Sequence, residues 1–184
     1  MSNNLDTNAS LRNYSKQEML EDGRSVLVRA VCSEDKQALK DGFSRLTIGS
    51  KISRFFYNKS SLSDDELKYY TEVDFDKHVA IGVVLLEEDL MLPIGIGRYV
   101  VDVDQPNRAE IALTVDEMYR GIGVATLMLK HLCAIARGAG IQEFRGVVLA
   151  GNNKMQSVIK RSGFPFKSVF TDGEFQVTID ITKG

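Results

Sequence analysis

The sequence predicts one α/β domain of the α+β kind, with elements in the order β-α-α-β-β-β-α-β-α-β-β, and three observations lead to it. Residues 79–86, 94–103 and 108–115 each alternate with the period of a strand, and their connections are short enough for antiparallel neighbours. Residues 123–137 are apolar almost all round, with only Thr126, Lys130 and Arg137 as a thin polar stripe, so this helix must pack against a sheet. Between the third strand and that helix runs a glycine-rich turn, Val115-Asp116-Glu117-Met118-Tyr119-Arg120-Gly121-Ile122-Gly123-Val124-Ala125-Thr126.

The other elements follow in chain order. Residues 1–13 are polar, rich in Asn and Ser and without periodicity, which predicts a disordered, dispensable tail before a domain spanning 14–184. Asp22-Gly23 signals a turn, and residues 25–31 alternate as a first strand. Ser33 reads as the N-cap of a helix whose apolar positions are Ala38, Leu39, Phe43 and Leu46, with Gly42 inside it. Ser63-Asp64-Asp65-Glu66 is a capping box opening a second helix through Leu67 and Tyr70, after an aromatic segment at residues 53–57. Beyond the long helix, residues 144–149 form a strand and 153–162 a short helix stopped by Gly163-Phe164-Pro165. Residues 167–170 and 175–181 form a hairpin around Thr171-Asp172-Gly173.

Composition narrows the function. A length of 184 residues with 43% hydrophobic and 26% charged content suits one domain with a real core. A net charge of −2 gives no electrostatic reason to bind nucleic acid or an anionic membrane. Cys32 and Cys133 form neither a metal spacing nor a disulfide framework, and with no apolar run near about 18 residues a reduced, cytoplasmic setting is expected.

The glycine-rich turn predicts an anion cradle. Backbone N–H groups at a helix start converge with the positive end of the macrodipole, Gly121 and Gly123 permit positive φ and close approach, and Arg120 supplies a charge. A Walker loop is excluded because no Gly-Lys-Ser/Thr follows. A dinucleotide fingerprint fails at Thr126, where its third glycine should stand, and at Glu143, which starts the next strand instead of ending it. Arg120, Gly123 and Ala125 instead resemble the acyl-CoA signature Gln/Arg-x-x-Gly-x-Gly/Ala of the GNAT acetyltransferase superfamily. The element order is similar to that fold too, which implies a mixed, mostly antiparallel sheet with helices on both faces. Asn152, Met155, Gly163 and Phe164 match the superfamily's Asn-x-x-Ala…Gly-Phe segment. Within the superfamily the chain resembles the bacterial Pat-type protein lysine acetyltransferases, through Leu20-Glu21-Asp22-Gly23-Arg24, Ser53-Arg54-Phe55-Phe56, Thr71-Glu72-Val73-Asp74 and Gly146-Val147-Val148-Leu149-Ala150.

The resemblance implies acetyl-CoA as cosubstrate, no metal, and transfer to a lysine ε-amine on a protein by direct attack in a ternary complex. It further implies a CoA-ligase-type metabolic enzyme as acceptor, and an acceptor groove bordered by Phe55, Phe56 and Tyr57. The expected cosubstrate contacts are Leu113, Thr114, Val115, Arg120, Gly121, Ile122, Gly123, Val124, Ala125, Thr126 and Asn152, with pantetheine beside residues 113–115 and 148–149. The alternatives are a small-molecule amine acceptor and a non-catalytic CoA-binding sensor. Pat-type enzymes often carry a fused regulatory domain, for which this chain has no room.

Amide formation needs a neutral amine, and only about one lysine in a thousand is neutral near pH 7.4. Glu110 is the candidate general base, because an ionisable residue inside an apolar strand is costly without a partner or a task. The residues alone also allow a solvated Glu110 paired with Arg108. In the superfamily the matching glutamate is the base. The tyrosine that many members use as general acid is replaced here by Ile159, although a CoA thiol can leave as thiolate unaided. His78 and His131 are expected to be surface or packing residues and not catalysts, without metal-ligand neighbours.

Overall fold

Eight strands form a single sheet in the computed structural model, which describes residues 10–87 and 90–183. They are β1 (Ser15–Met19), β2 (Ser25–Ala30), β3 (His78–Glu87), β4 (Leu90–Val101), β5 (Arg108–Val115), β6 (Glu143–Leu149), β7 (Phe166–Thr171) and β8 (Glu174–Asp180). Their spatial order is β1-β2-β3-β4-β5-β6-β8-β7. Every neighbouring pair is antiparallel except β5 and β6, whose parallel pairing is made possible by the crossover through the long helix at residues 124–138.

Helices cover both faces. On one lie α1 (Lys36–Arg45), α2 (Ile48–Phe55) and α3 (Asp64–Thr71); on the other lie α4 (Val124–Gly138) and, beside it, α5 (Asn153–Arg161). Met128, Leu129 and Leu132 of α4 are at most 2% exposed, and burying each contributes about 1.5–3 kcal/mol. Gly97 lets this helix lie close. A Cβ there would stand 2.8 Å from Leu113 and 3.1 Å from Leu132, so the alternate residue Arg98 is turned to the opposite face. The α1–α3 layer keeps a small core of its own, made of Phe43, Leu46, Leu62 and Leu67. Where that layer meets the sheet it leaves a cavity of about 110 Å³.

The fold class and the capping box on Ser63 and Glu66 are as expected. Four details differ. β1 carries no apolar alternation, because Ser15-Lys16-Gln17-Glu18-Met19 is an edge strand held by its backbone ladder to β2. The aromatic segment begins inside α2 and leaves it at the left-handed C-cap Phe56; the helix is opened by Thr47, whose hydroxyl accepts from Ser50 N at 3.3 Å. Ser33 is not an N-cap: it lies inside a 3-10 turn, Ser33–Asp35, in which Asp35 accepts from Cys32 N at 2.9 Å. Of the expected disordered tail, residues 1–9 lie outside the described residues. Residues 10–12 form a helical turn, with Leu11 against the main core and Arg12 donating to Asp74 O at 3.0 Å.

Candidate active site

The end of β5 turns into α4 through a 3-10 turn, Glu117–Tyr119, and two glycines in left-handed conformation, Gly121 at φ 82° and Gly123 at φ 92°. The first hydrogen bond inside α4 is donated by Leu127 to Gly123 O at 2.9 Å. The amides of Gly123, Val124, Ala125 and Thr126 ahead of it donate to none of the described residues. They are the unsatisfied donors of a helix N-terminus, and the macrodipole favours an anion there. A Cβ at residue 123 would lie 3.1 Å from a carboxylate oxygen of Glu21, so the β1–β2 turn borders the cradle. Arg24 from the same turn sits over the Tyr119 ring at 5.2 Å.

Arg120 does not stand free at the mouth. Its Nε donates to Val115 O at 3.2 Å and one terminal nitrogen donates to Ser50 Oγ at 2.8 Å. Ser50 in turn donates to Glu117 at 2.5 Å, and Glu117 also accepts from Thr47 N at 2.9 Å and from the Thr47 hydroxyl. The serine and threonine hydroxyls hold the Glu117 carboxyl down at about 2. Arg45 adds an ion pair to Asp116 at 2.9 Å. These bonds latch the start of α2 to the cradle, a role of Glu117, Thr47 and Ser50 that the sequence did not suggest. Ser/Thr spacing at a helix start was their only signal.

Upstream, β5 and β6 pair only at Arg108↔Glu143, Ala109↔Phe144 and Glu110↔Arg145. Beyond Glu110, β5 continues against β4 alone to Val115, and β6 against β8 alone to Leu149. The sheet is thus opened between residues 111–115 and 146–149, and Val115 O at the end of the opened strand is taken by Arg120. Glu110 stands at the last closed pair, exposed, on the face shared with Val100, Arg98 and Ala112 and covered by α1–α3. Arg108 pairs with Glu143 at 2.6 Å, so the alternative of a Glu110–Arg108 pair is not what the structure shows. Leu113 points instead into the α4 face, against the space above Gly97, while Thr114 lines the cavity.

Asn152 caps α5, its Oδ1 accepting from Met155 N at 3.1 Å. Ile159 is 6% exposed in the main core and cannot act as an acid. His131 is a packing residue bonded to Tyr14 Oη at 2.5 Å through Nδ1, with Glu18 at 3.2 Å from Nε2. His78 lies under Tyr69 with Arg98 3.4 Å from Nε2; burial, then the Arg98 charge, pull its pKa down to about 4. Both cysteines are free, and burial pushes the Cys133 thiol up to about 12. Among the described residues no His, Cys, Asp and Glu group could hold a metal, and no helix is long and apolar enough to cross a membrane.

A mixed sheet opened beside its one parallel pair, with a glycine cradle at the end of the opened strand, defines the class of acyl-CoA-using transferases. The chain belongs to the GNAT acetyltransferase family: the model of the Acetyltransferase (GNAT) family matches residues 38–164. The GNAT domain of S. lividans PAT superposes with a TM-score of 0.81 at 29% identity, over 90% of this chain and 96% of that one. An acetyltransferase of Pseudomonas aeruginosa is 27% identical over 147 residues, 80% of this chain and 78% of its own length. Acetyltransferase Pat of Mycolicibacterium smegmatis is 32% identical over 97 residues, 53% of this chain and 28% of that longer protein. The family's fold uses acetyl-CoA as cosubstrate.

Proposed function

We propose that this acetyltransferase transfers an acetyl group from acetyl-CoA to the ε-amine of lysine on protein substrates, by direct attack in a ternary complex, with Glu110 as general base. The observation that carries the reading is the place of Glu110: exposed, at the last closed pair of β5 and β6, where the sheet opens towards the cradle. Acetyl-CoA supplies the acetyl group as a thioester whose thiolate can leave without an acid, which suits a site with Ile159 where a tyrosine could stand.

The amides of residues 123–126 and the two glycines without Cβ fit the cosubstrate's pyrophosphate, with Ile122 between them. Arg120 acts through the backbone, fixing Val115 and the start of α2 and so the shape of the cradle. The pantetheine arm lies between the lips of the opened sheet, along residues 113–114 and 148–149, where extended backbone can accept an added strand. Asn152 borders it with its amide nitrogen, since its oxygen caps α5. Glu110 takes the amine's proton as the amine attacks, and the acceptor approaches from the α1–α3 face. The likeness to the Pat proteins supports a protein acceptor, with a CoA-ligase-type metabolic enzyme as the first substrate to try, ahead of a small amine.

Glu110→Gln keeps shape and hydrogen bonding but cannot take a proton at neutral pH. Turnover should fall about 10²-fold or more at unchanged acetyl-CoA affinity, and the defect should shrink at pH 9–10, where more of the amine is already neutral. Steady-state rates measured with one acceptor at saturation check this. Wild-type turnover in the variant across that range would remove Glu110 from catalysis, and no thiol release with any acceptor would favour the sensor reading.

A further inference from the structure

Two guanidinium groups take no part in the transfer chemistry proposed above. Arg98, on β4 beside Ala112, lines the cavity between the sheet and α1–α3 and is only 6% exposed. Its neighbours are Tyr70 O at 3.4 Å, His78 Nε2 at 3.4 Å and the Tyr70 ring, whose centroid is 4.3 Å from the guanidinium carbon. None of them carries negative charge. Arg54, on α2, lines the same cavity, with the Phe55 ring 5.2 Å away.

The cavity's other arginines are already matched, Arg29 to Asp35 at 2.5 Å and Arg45 to Asp116 at 2.9 Å. Those two carboxylates are the only ones in its lining, so among the described residues Arg54 and Arg98 have no acid within ion-pair distance. His78 cannot be a counter-ion. Burial first, then the charge of Arg54, pulls the Arg98 pKa down to about 10, so Arg98 stays cationic at neutral pH, and burial lowers the Arg54 pKa as well. Two like charges in a low-dielectric cavity are costly unless an anion joins them, and a pair of guanidinium forks suits the two oxygens of a carboxylate. Glu110 stands on the same face, and its negative charge acts on Arg54 from beyond ion-pair distance. A cavity of about 110 Å³ has room for several waters or for one short acidic side chain.

We propose that Arg54 and Arg98 form an anion subsite of the acceptor groove, which takes a carboxylate carried close to the amine that Glu110 deprotonates. The inference rests on the acetyl-transfer reading above. It assigns the acceptor's chemistry: a lysine with an aspartate or glutamate beside it in a protein, or an amino acid presenting its own α-carboxylate.

Matched lysine peptides with a flanking Glu or Gln, both ends blocked, separate the side-chain source from the other, and free lysine against its amide tests the α-carboxylate. In the wild type the acidic member of at least one pair should show kcat/KM higher by about 10-fold or more, mostly through KM. In Arg54→Gln, a partly buried position chosen over the more deeply buried Arg98, the preference should fall to about one at unchanged melting temperature and acetyl-CoA affinity. Glutarate binding followed by calorimetry is the second readout and needs no turnover: the wild type should bind it and Arg54→Gln should not. Arg54-dependent glutarate binding without acetylation of any acceptor would keep the subsite and overturn the transfer reading. Equal kcat/KM within both pairs, or glutarate binding that Arg54→Gln leaves unchanged, overturns the subsite.

Discussion

Replacing Gly123 by valine separates the cradle's fold from its binding. Residue 123 sits at φ 92°, where an L side chain costs about 1–2 kcal/mol, and a β-branched one lies at the upper end. The Cβ would meet Glu21 at 3.1 Å, but that is the free end of a flexible side chain and can move aside. The expected loss of stability is therefore about 2 kcal/mol, or about 4–8 °C in melting temperature for a domain of this size. Gly140 is the control, with φ 81° and no atom within 4 Å of its Cβ, past the far end of α4. Gly140→Val should cost about the same stability. Only Gly123→Val should also lose acetyl-CoA affinity, by about 10- to 100-fold, because a side chain there holds the pyrophosphate away from amides whose charge-assisted bonds contribute about 1.5–3 kcal/mol. Calorimetric titration of both variants with acetyl-CoA, beside their melting curves, reads the two effects. Equal affinity in the two variants would refute the placement of the cosubstrate at this cradle.

Three further outcomes are expected. Glu117→Gln loosens the latch between α2 and the cradle and should lower the melting temperature by a few degrees. Because the Glu117 pKa lies below its ordinary value, its stabilisation is present above about pH 4.5 and is lost as pH falls towards 2, so the variant should show a flatter acid limb in pH-dependent melting. Both histidines are depressed, His78 to about 4 by burial first and Arg98 second, and His131 by burial. The neutral forms are the folded ones, so stability should be full above about pH 6.5 and decline as pH falls from 6.5 towards 4, by at most about 3 kcal/mol for His78. NMR titration should place His78 near 4 and His131 below 6.5. A chain starting at Tyr14 should melt a few degrees below one starting at Ser10, because it lacks Leu11 against the core and Arg12 bonded to Asp74 O and over Phe75.

Much of the frame was legible from the chain itself, because the signals were local. Period-two strands, an apolar helix, the Ser63 capping box and the left-handed Asp172-Gly173 hairpin turn each follow from neighbours in sequence. The glycines of the cradle were legible for the same reason, since their φ values are a property of the turn. The polar strand β1 was not, because an edge strand needs only a partner's backbone and leaves no apolar pattern. What Arg120 bonds to, and the latch through Thr47, Ser50 and Glu117, depend on α2 folding back over the end of β5, about 70 residues away in sequence. Arg98 broke an apolar strand as visibly as Glu110 did. Only the tertiary structure decided that it shares a cavity with Arg54 while Asp35 and Asp116 answer other arginines, because counter-charge is matched in space and not along the chain.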